Sequence, residues 1–439
     1  MNRSPDHPIT RSPDLNFLLS AGEASGDTYG SQLIDSLRQL APSSTFFGMG
    51  GEKMRASGAE LLVNANEVAV VGLVEVVTHL PGIRRRFKHL VAEAGRRKPD
   101  AAILIDFPDF NLRLARELHR LGIPVFYFVS PQIWAWRTGR VKQIKKFVRK
   151  MIVIFPFEQE FYRRHGVEVS YVGHPLAYAP PPQLSREEFA AQHHLDPKKQ
   201  WIALLPGSRR KEVRLNLPAM IKGAGLLQKQ SAGFEFLLPV ASTLSEDWLR
   251  EQLDLLTATW SRPSGSSGPE PPTAATGWSR PSGLRSEPLN TPASAAEVKS
   301  EGQIIHLTHN ARATLMHARA AVVASGTATV EAALSGTPFV VVYRLAPLTW
   351  LLGRRLVKLD TFAMPNLIAG KKIVPELIQK DFTAQNVVRE LNAIIPDGPA
   401  RQQIVAALKM VQQRLHDSQD AEPPPHRAAK EILGSLKAG

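Results

Sequence analysis

Short runs of apolar residues that do not alternate with polar ones constrain this chain more than any other feature. They lie at Phe17–Ala21, Ala101–Ile105, Val125–Val129, Met151–Phe155, Ile202–Leu205, Phe234–Val240, Ala320–Ala324 and Phe339–Tyr343, often ending in Gly, Pro, Ser or Asp. A strand with one wet face alternates. A strand that is apolar on both faces must be covered on both, as in a parallel sheet between helical layers. Segments with helical spacing lie between several of these runs, among them Gly30–Leu40, Leu112–Leu121 and Thr327–Leu334. Strands alternating with helices predict an α/β fold with parallel sheets.

The runs fall into two sets. One ends near His174-Pro175 and the next begins at Trp201, with a stretch between them that carries three prolines at 180–182 and reads as a linker plus one short helix. Two Rossmann-like lobes with a central cleft are expected: residues 15–178 as the N-terminal lobe and 179–439 as the C-terminal lobe. Residues 1–14 read as a flexible extension. The segment 259–302 differs from the rest: 21 of its 44 residues are Pro, Ser or Gly, and the hexapeptide WSRPSG occurs at 260–265 and again at 278–283. Such a segment cannot bury enough apolar surface to offset its ordering entropy, so it reads as a disordered insertion in the second lobe.

Composition excludes several function classes. The chain has 439 residues, enough for two or three domains. It has no cysteine, which removes disulfide scaffolds, Cys-ligated zinc, iron–sulfur clusters and thiol catalysis, and fits a reducing cytoplasm. No run approaches the ~20 apolar residues of a membrane span, and the N-terminus lacks the apolar stretch of a signal peptide. The net charge of +14 favours anionic partners: nucleic acid, acidic lipid headgroups or phosphorylated substrates. Nucleic acid is the weakest of the three, because no zinc-finger spacing, RNP aromatic signature or helix-turn-helix accompanies the charge.

Two stretches combine apolar and basic residues. Arg137–Lys150 has seven basic residues in fourteen, with Ile144, Phe147 and Val148 as a narrow apolar stripe. Val68–Leu90 is apolar in its first half and basic in its second. Each reads either as a solvated helix beside the core or as a contact with an anionic membrane surface. In the second stretch Leu80, Ile83 and Phe87 would insert, while Arg84, Arg85, Arg86 and Lys88 would meet phosphates at ~1 kcal/mol each.

Candidate chemistry lies where strands end. The strand at Ala320–Ala324 runs into Ser325-Gly326-Thr327 and a helix, whose free N–H groups and dipole suit an anion. Glu331, about one turn on, can accept hydrogen bonds from a ribose diol. After Ile202–Leu205 comes Pro-Gly-Ser and then Arg209-Arg210. A guanidinium there can hold a pyrophosphate by bidentate hydrogen bonds, with Arg209 the choice and Arg210 the reserve. Asp106 ends the strand Ala101–Ile105 and is placed to take a proton from an attacking hydroxyl, whereas Asp109 suits a helix cap. Glu23 and Asp27, in the glycine-containing loop SAGEASGD, suit the hydroxyls of a sugar better than a phosphate. His174 reads as a packed or capping histidine.

Eight segments together resemble the lipid-A-disaccharide synthase family, glycosyltransferase family 19. They are SAGEASGD (20–27), VGLVEVV (71–77), IDFPDFN (105–111), YFVSPQIWAWR (127–137), VGHPL (172–176), LLPGSR (204–209), ASGTATVE (324–331) and MPNLIAGKKIVPELIQ (364–379), in the family's order. The resemblance implies a GT-B fold and an inverting transfer of diacylglucosamine from UDP-2,3-diacylglucosamine to 2,3-diacylglucosamine 1-phosphate. The products would be a β-1,6-linked disaccharide 1-phosphate and UDP. It implies Asp106 as base, with Glu23 and a nearby Asp109 as the alternatives. Arg209, Ser325 and the N–H groups of Gly326 and Thr327 would act on the diphosphate, with Glu331 on the ribose and Glu23 and Asn366 in the sugar site. No cofactor and no metal are expected. A homodimer with exchanged C-terminal segments, at the cytoplasmic face of the inner membrane, is expected. The rival readings are another UDP-N-acetylglucosamine enzyme of the same fold (an epimerase or the peptidoglycan glycosyltransferase) and a basic nucleic-acid-binding protein. The insertion at 259–302 and the residues before Leu15 depart from the family pattern without interrupting a motif.

Overall fold

A computed structural model of the chain describes residues 14–68, 73–136, 138–258, 304–345, 361–416 and 422–438. Seven strands form the first sheet: β1 (Asn16–Ala21), β2 (Thr45–Gly50), β3 (Glu60–Asn64), β4 (Ala101–Ile105), β5 (Val125–Phe128), β6 (Lys150–Val153) and β7 (Val169–Tyr171). Six form the second: β8 (Gln200–Leu205), β9 (Phe234–Pro239), β10 (Ile305–Thr308), β11 (Ala320–Ala324), β12 (Phe339–Tyr343) and β13 (Glu376–Ile378). The spatial orders are β3-β2-β1-β4-β5-β6-β7 and β10-β9-β8-β11-β12-β13, and the pairings are parallel. The central strands are apolar on both faces because helices cover both. All five residues of β4 are inaccessible to solvent. The chain is thus an α/β protein of the GT-B type, with two Rossmann-like lobes.

Chain order reverses between β1 and β4 in one sheet and between β8 and β11 in the other. At such a switch point the loops leave in opposite directions and open a crevice at the carboxyl ends of the strands. Register decides which residues meet there. Ala21 pairs with Ile105, so the loops that begin at Gly22 and Asp106 emerge level with each other. Val323 pairs with Leu205, which does the same for Pro206–Arg209 and Ser325–Thr327.

The runs identified from sequence are β1, β4, β5, β6, β8, β9, β11 and β12. The strands missing from that reading are β2, β3, β7, β10 and β13. Four of these, β3, β7, β10 and β13, are the sheet edges, where one flank is wet and apolar residues are fewer. β2 is interrupted by Gly48, at φ 146°, where the register with β3 slips. A Cβ at that position would meet the Leu19 carbonyl oxygen at 2.0 Å. The linker contains the expected short helix, Arg186–His193. Ser185 caps it by accepting from the Glu188 N–H (3.2 Å), and Glu188 answers by accepting from the Ser185 N–H (2.8 Å). The insertion at 259–302 and residues 1–13 lie outside the described residues.

The last two helices correct the assignment of 179–439 to one lobe. Helix Pro399–Leu415 packs in the second lobe against helix Thr327–Ser335. Helix Pro424–Lys437 returns to the first and lies along helix Ala24–Leu40. Ala428, Ala429 and Ile432 are fully buried there. Lys150 pairs with Glu431 (2.6 Å), Ser170 donates to Glu431 (3.0 Å), and Arg149 donates to the Ser435 carbonyl (2.6 Å). Apolar spacing on the final helix shows only that one face must be covered. The partner is chosen by the path of the chain.

The stretch Val68–Leu90 also needs correction. Leu73–Arg97 is one helix with Pro81 inside it. Ile83 and Phe87, one turn apart, face the core of the first lobe, and Phe87 meets Phe110 edge-on at 5.3 Å. These two are therefore half-buried against the lobe rather than free on the surface, and the Leu80 side chain lies outside the described residues. Arg84, Arg85 and Lys88 remain exposed, and Arg86 is held by Glu67 (2.6 Å). In Arg137–Lys150 the stripe is likewise inward: Ile144 and Val148 are buried, while Lys142, Lys145 and Lys146 are exposed. Among the described residues no helix is long and apolar enough to cross a membrane.

Candidate active site in the interlobe cleft

The two switch points face one another across a cavity of about 460 Å³. The first lobe supplies Glu23, Asp106, Arg140 and Glu158 to its wall, and the second supplies Arg209 and Thr327. Asp106 follows β4 and Glu23 follows β1. Arg209 follows β8, and Thr327 opens the helix after β11.

Asp106 is held in a strained position. It and Phe107 both adopt left-handed backbone (φ 45° and 49°), as does Val129 after β5 (φ 62°). Such residues cost about 1–3 kcal/mol each unless the surroundings enforce them. Asn111, fully buried, does much of the enforcing. Its amide donates to the carbonyls of Ser20 (3.2 Å), Ile105 (3.1 Å) and Asp106 (2.8 Å), and its oxygen accepts from the Ser20 hydroxyl (2.6 Å). Tyr127 donates to the Asp106 carbonyl as well (2.5 Å). The Phe107 ring lies against Gly22, where a Cβ would meet ring carbons at 2.3 Å, so only glycine fits. The motif IDFPDFN thus carries its own brace.

Burial first, and the Glu23 carboxylate second, push the Asp106 carboxyl up to about 7. The Phe107 N–H and Arg209 pull the other way. A carboxylate of that basicity is matched to proton abstraction near neutral pH.

Glu23 stands at the N-cap of helix Ala24–Leu40 yet makes no side-chain cap. Its carboxylate reaches across the cleft to Arg209 (3.0 Å), whose other branch meets Glu212 (3.1 Å). Glu212 also accepts the Ser208 N–H (3.1 Å) and so fixes the loop before Arg209. Of the two candidates Arg209 lines the cavity, whereas the Arg210 guanidinium lies over the Trp248 ring, 5.2 Å from its centroid. Asp27 is not a sugar ligand. It accepts from the N–H groups of Gly51 (2.7 Å), Lys53 (3.1 Å) and Met54 (3.1 Å), and caps the next short helix.

In the second lobe, Gly326 (φ 154°) caps helix Thr327–Ser335, and a Cβ there would meet open space. The first turn keeps the N–H groups that helix geometry leaves without intrahelical partners. Ser325 donates its hydroxyl to the Phe362 carbonyl (3.3 Å). Glu331 does not line the cavity. Burial raises its carboxyl above the usual range, Arg312 opposes this, and its charge reaches the buried Tyr29 of the first lobe.

Asn366 is a correction. It is fully buried, and its amide is spent. The oxygen accepts from Ile373 (2.7 Å) and Val374 (3.0 Å), and the nitrogen donates to the Val374 carbonyl (3.0 Å) and to Glu376 (2.7 Å). Glu376 in turn accepts from the N–H groups of Phe362 (3.1 Å) and Ala363 (3.1 Å), which steadies the segment that Ser325 touches. Asn366 supports the site from behind and offers nothing to a ligand.

Two charged residues of the cavity wall escaped the sequence reading. Glu158 is buried, accepts from the Trp134 indole N–H (3.2 Å) and the Phe155 N–H (3.3 Å), and is pushed up to about 8 by that burial. A carboxyl three residues after a strand-to-helix turn reads locally as a capping residue, so no pattern flagged it. Arg140 was visible only as one of a run of cations. In the fold it lines the cavity and pairs with Asp109. His174 is capping and packed, as expected. It accepts from the Leu176 N–H (3.2 Å), contacts the Phe155 ring, and burial lowers it to about 3. Among the described residues no cluster of three or more His, Asp or Glu could hold a metal.

Comparison with known proteins adds an independent line. A family model described as lipid-A-disaccharide synthetase matches residues 17–261 and 291–425. The lipid-A-disaccharide synthase of Koribacter versatilis (strain Ellin345) is 49% identical over 420 residues, 95% of this chain and 98% of that one. Two solved glycosyltransferases share the fold at low identity. That of kitacinnamycin aligns with TM-score 0.58 at 12% identity, over 96% of this chain and 99% of that one. CalG4, the calicheamicin glycosyltransferase, aligns with TM-score 0.55 at 14% identity, over 97% and 99%.

Proposed function

The chain belongs to the lipid-A-disaccharide synthetase family, and from that premise we propose that it transfers 2,3-diacylglucosamine from its UDP derivative to the 6-hydroxyl of 2,3-diacylglucosamine 1-phosphate. It is a glycosyltransferase of lipid A biosynthesis. The products are a β-1,6-linked disaccharide 1-phosphate and UDP. The donor is α-linked and the product β-linked, so a single displacement with inversion suffices.

The observation that carries this reading is the placing of Asp106 from one lobe and Arg209 and Thr327 from the other on the wall of one cavity. An inverting transfer needs a base on one side of the anomeric carbon and a stabiliser for the departing diphosphate on the other. Asp106, raised to about 7, takes the acceptor's proton as the new bond forms. Arg209, Thr327 and the N–H groups of the helix N-terminus meet the charge that develops on the diphosphate. Glu331 stands off the cavity wall, but its charge reaches Tyr29 on that wall, and it is the group assigned to the ribose at that end of the cleft. Glu23 lines the sugar site.

The enzyme acts as a peripheral protein at the cytoplasmic face of the inner membrane, as a homodimer. Support for membrane contact comes from the exposed cations Arg84, Arg85, Lys88, Lys142, Lys145 and Lys146 on the first lobe. They suit an anionic headgroup layer.

The test is turnover with both diacylated substrates in detergent micelles, with EDTA present. Disaccharide 1-phosphate with stoichiometric UDP is expected. Asp106→Asn is expected to lower turnover by at least ~100-fold with little change in UDP affinity. Turnover of unacylated UDP-N-acetylglucosamine in preference to the diacylated donor would overturn the reading.

A further inference from the structure

The proposed reaction brings two phosphorylated groups into one cleft. The donor carries a diphosphate and the acceptor a monoester on its anomeric carbon. Among the described residues the cavity wall holds two permanent cations, Arg209 and Arg140. Arg209 stands beside the helix N-terminus of the second lobe and is committed to the donor. From Arg140, and resting on the reaction proposed above, we infer that this side chain is the binding residue for the acceptor's anomeric phosphate.

Placement comes first. Arg140 ends a single 3-10 turn, Thr138–Arg140, and leads into helix Val141–Phe147, so its backbone is anchored by an element of the first lobe. Its side chain is only 21% exposed, yet it reaches the cavity that also holds Asp106. Its charge is felt at the Tyr127 phenol, the same phenol that donates to the Asp106 carbonyl. Arg140 and the base therefore stand on one wall of one cavity. A hexose needs this arrangement, because its 6-hydroxymethyl group and its anomeric phosphate sit on the two carbons that flank the ring oxygen. With the 6-hydroxyl at Asp106, the phosphate falls on the same face of the cleft.

The present partner of Arg140 is Asp109, in the first turn of helix Pro108–Arg120, with a side chain 68% exposed. An ion pair with so exposed a partner is weak and exchanges readily. A phosphate dianion offers a guanidinium two oxygens and the stronger, bidentate geometry. The pairing of Arg209 with Glu23 in the same cavity follows the same pattern. Each cation in the cleft is parked on a half-exposed or exposed carboxylate that a phosphate can replace. The inference also gives the reaction a source of specificity. Acceptors without the phosphate leave a guanidinium on the wall with no anion from the substrate to meet, so they bind less well.

The test compares two acceptors with the full-length enzyme: 2,3-diacylglucosamine 1-phosphate and the same sugar without its phosphate. Arg140→Gln keeps a polar, hydrogen-bonding side chain, though a shorter one, and removes its charge. Its KM for the phosphorylated acceptor is expected to rise about 10- to 100-fold, in line with loss of a charge-assisted hydrogen bond. The KM for the unphosphorylated acceptor and for the UDP-sugar should stay within about twofold. An equal rise for both acceptors, no rise for either, or a rise confined to the donor overturns the inference, because each marks a structural or donor role. A wild-type enzyme that turns over neither acceptor would overturn the proposed reaction and this inference with it. That result is distinct from failure of Arg140 alone, in which wild-type turnover is intact.

Discussion

Glu23→Gln removes one negative charge from the cleft and leaves the side chain's shape in place, which makes it a direct probe of how Asp106 gains its basicity. The Asp106 carboxyl is raised to about 7 by burial and, second, by Glu23. Burial is untouched by the substitution. Two like charges in one cleft, at an effective dielectric of about 20, repel by on the order of 1–2 kcal/mol. One pH unit corresponds to about 1.4 kcal/mol. The acid limb of kcat/KM, which reports the free enzyme, should therefore have its midpoint near 7 in the parent and near 6 in the variant. The sign follows from the charge. Without Glu23 the Asp106 anion is less opposed, so it loses its proton at lower pH. A second effect is separable. Arg209 loses one of its two carboxylate partners, and an exposed pair is worth about 0.2–1 kcal/mol, so UDP should bind about two- to fivefold more tightly by calorimetry. Uridine, which lacks the diphosphate, should bind unchanged. The height of the pH profile also falls if Glu23 holds the acceptor sugar, but its midpoint is independent of that height. A parent midpoint near 4, or a variant midpoint that does not move, would refute the reasoning.

Two further substitutions test the parts of the cleft that act from behind. Glu158 is held neutral by burial, with its carboxyl raised to about 8. Its contribution to stability is therefore complete below its unfolded value near 4.5, declines as pH rises, and is gone above about 8. Glu158→Gln loses one of two accepted N–H bonds, at about 1–2 kcal/mol, but does not titrate, so its melting temperature should lie below the parent's at pH 5 and rise relative to it, overtaking it by pH 9. Asn366→Ala leaves the Ile373 and Val374 N–H groups and Glu376 short of partners. It should cost about 2–4 kcal/mol in denaturant unfolding, with a loss of activity that tracks the folded fraction. A specific rise in acceptor KM at full stability would return Asn366 to the sugar site.

Local pattern was enough for the centre of each sheet. A strand covered on both faces must be apolar throughout, so β1, β4, β5 and β6, and β8, β9, β11 and β12, stand out in the chain itself. The residues at their carboxyl ends stand out for the same reason, because an acid or a base that ends a buried strand has little structural purpose there. The places of Asp106, Arg209 and Thr327 on the cavity wall were legible on this basis. The edge strands were not, since one wet flank dilutes the apolar signal. Nor was the return of the last helix to the first lobe. Only the tertiary structure separated residues whose local patterns look alike. Arg209 faces the cleft and Arg210 a tryptophan. Glu23 crosses to the other lobe, 186 residues away, while Asp27 caps a helix beside it. Asn366 is consumed by its own loop. Arg140 and Glu158 enter the cavity from stretches that read as a basic surface and a helix cap. The physical reason is common to all of these. Periodicity is a property of one element, and it reports which face of that element is covered. Burial of a charge and the identity of its partner are set by other elements, brought close only when both sheets and the helices between them have packed.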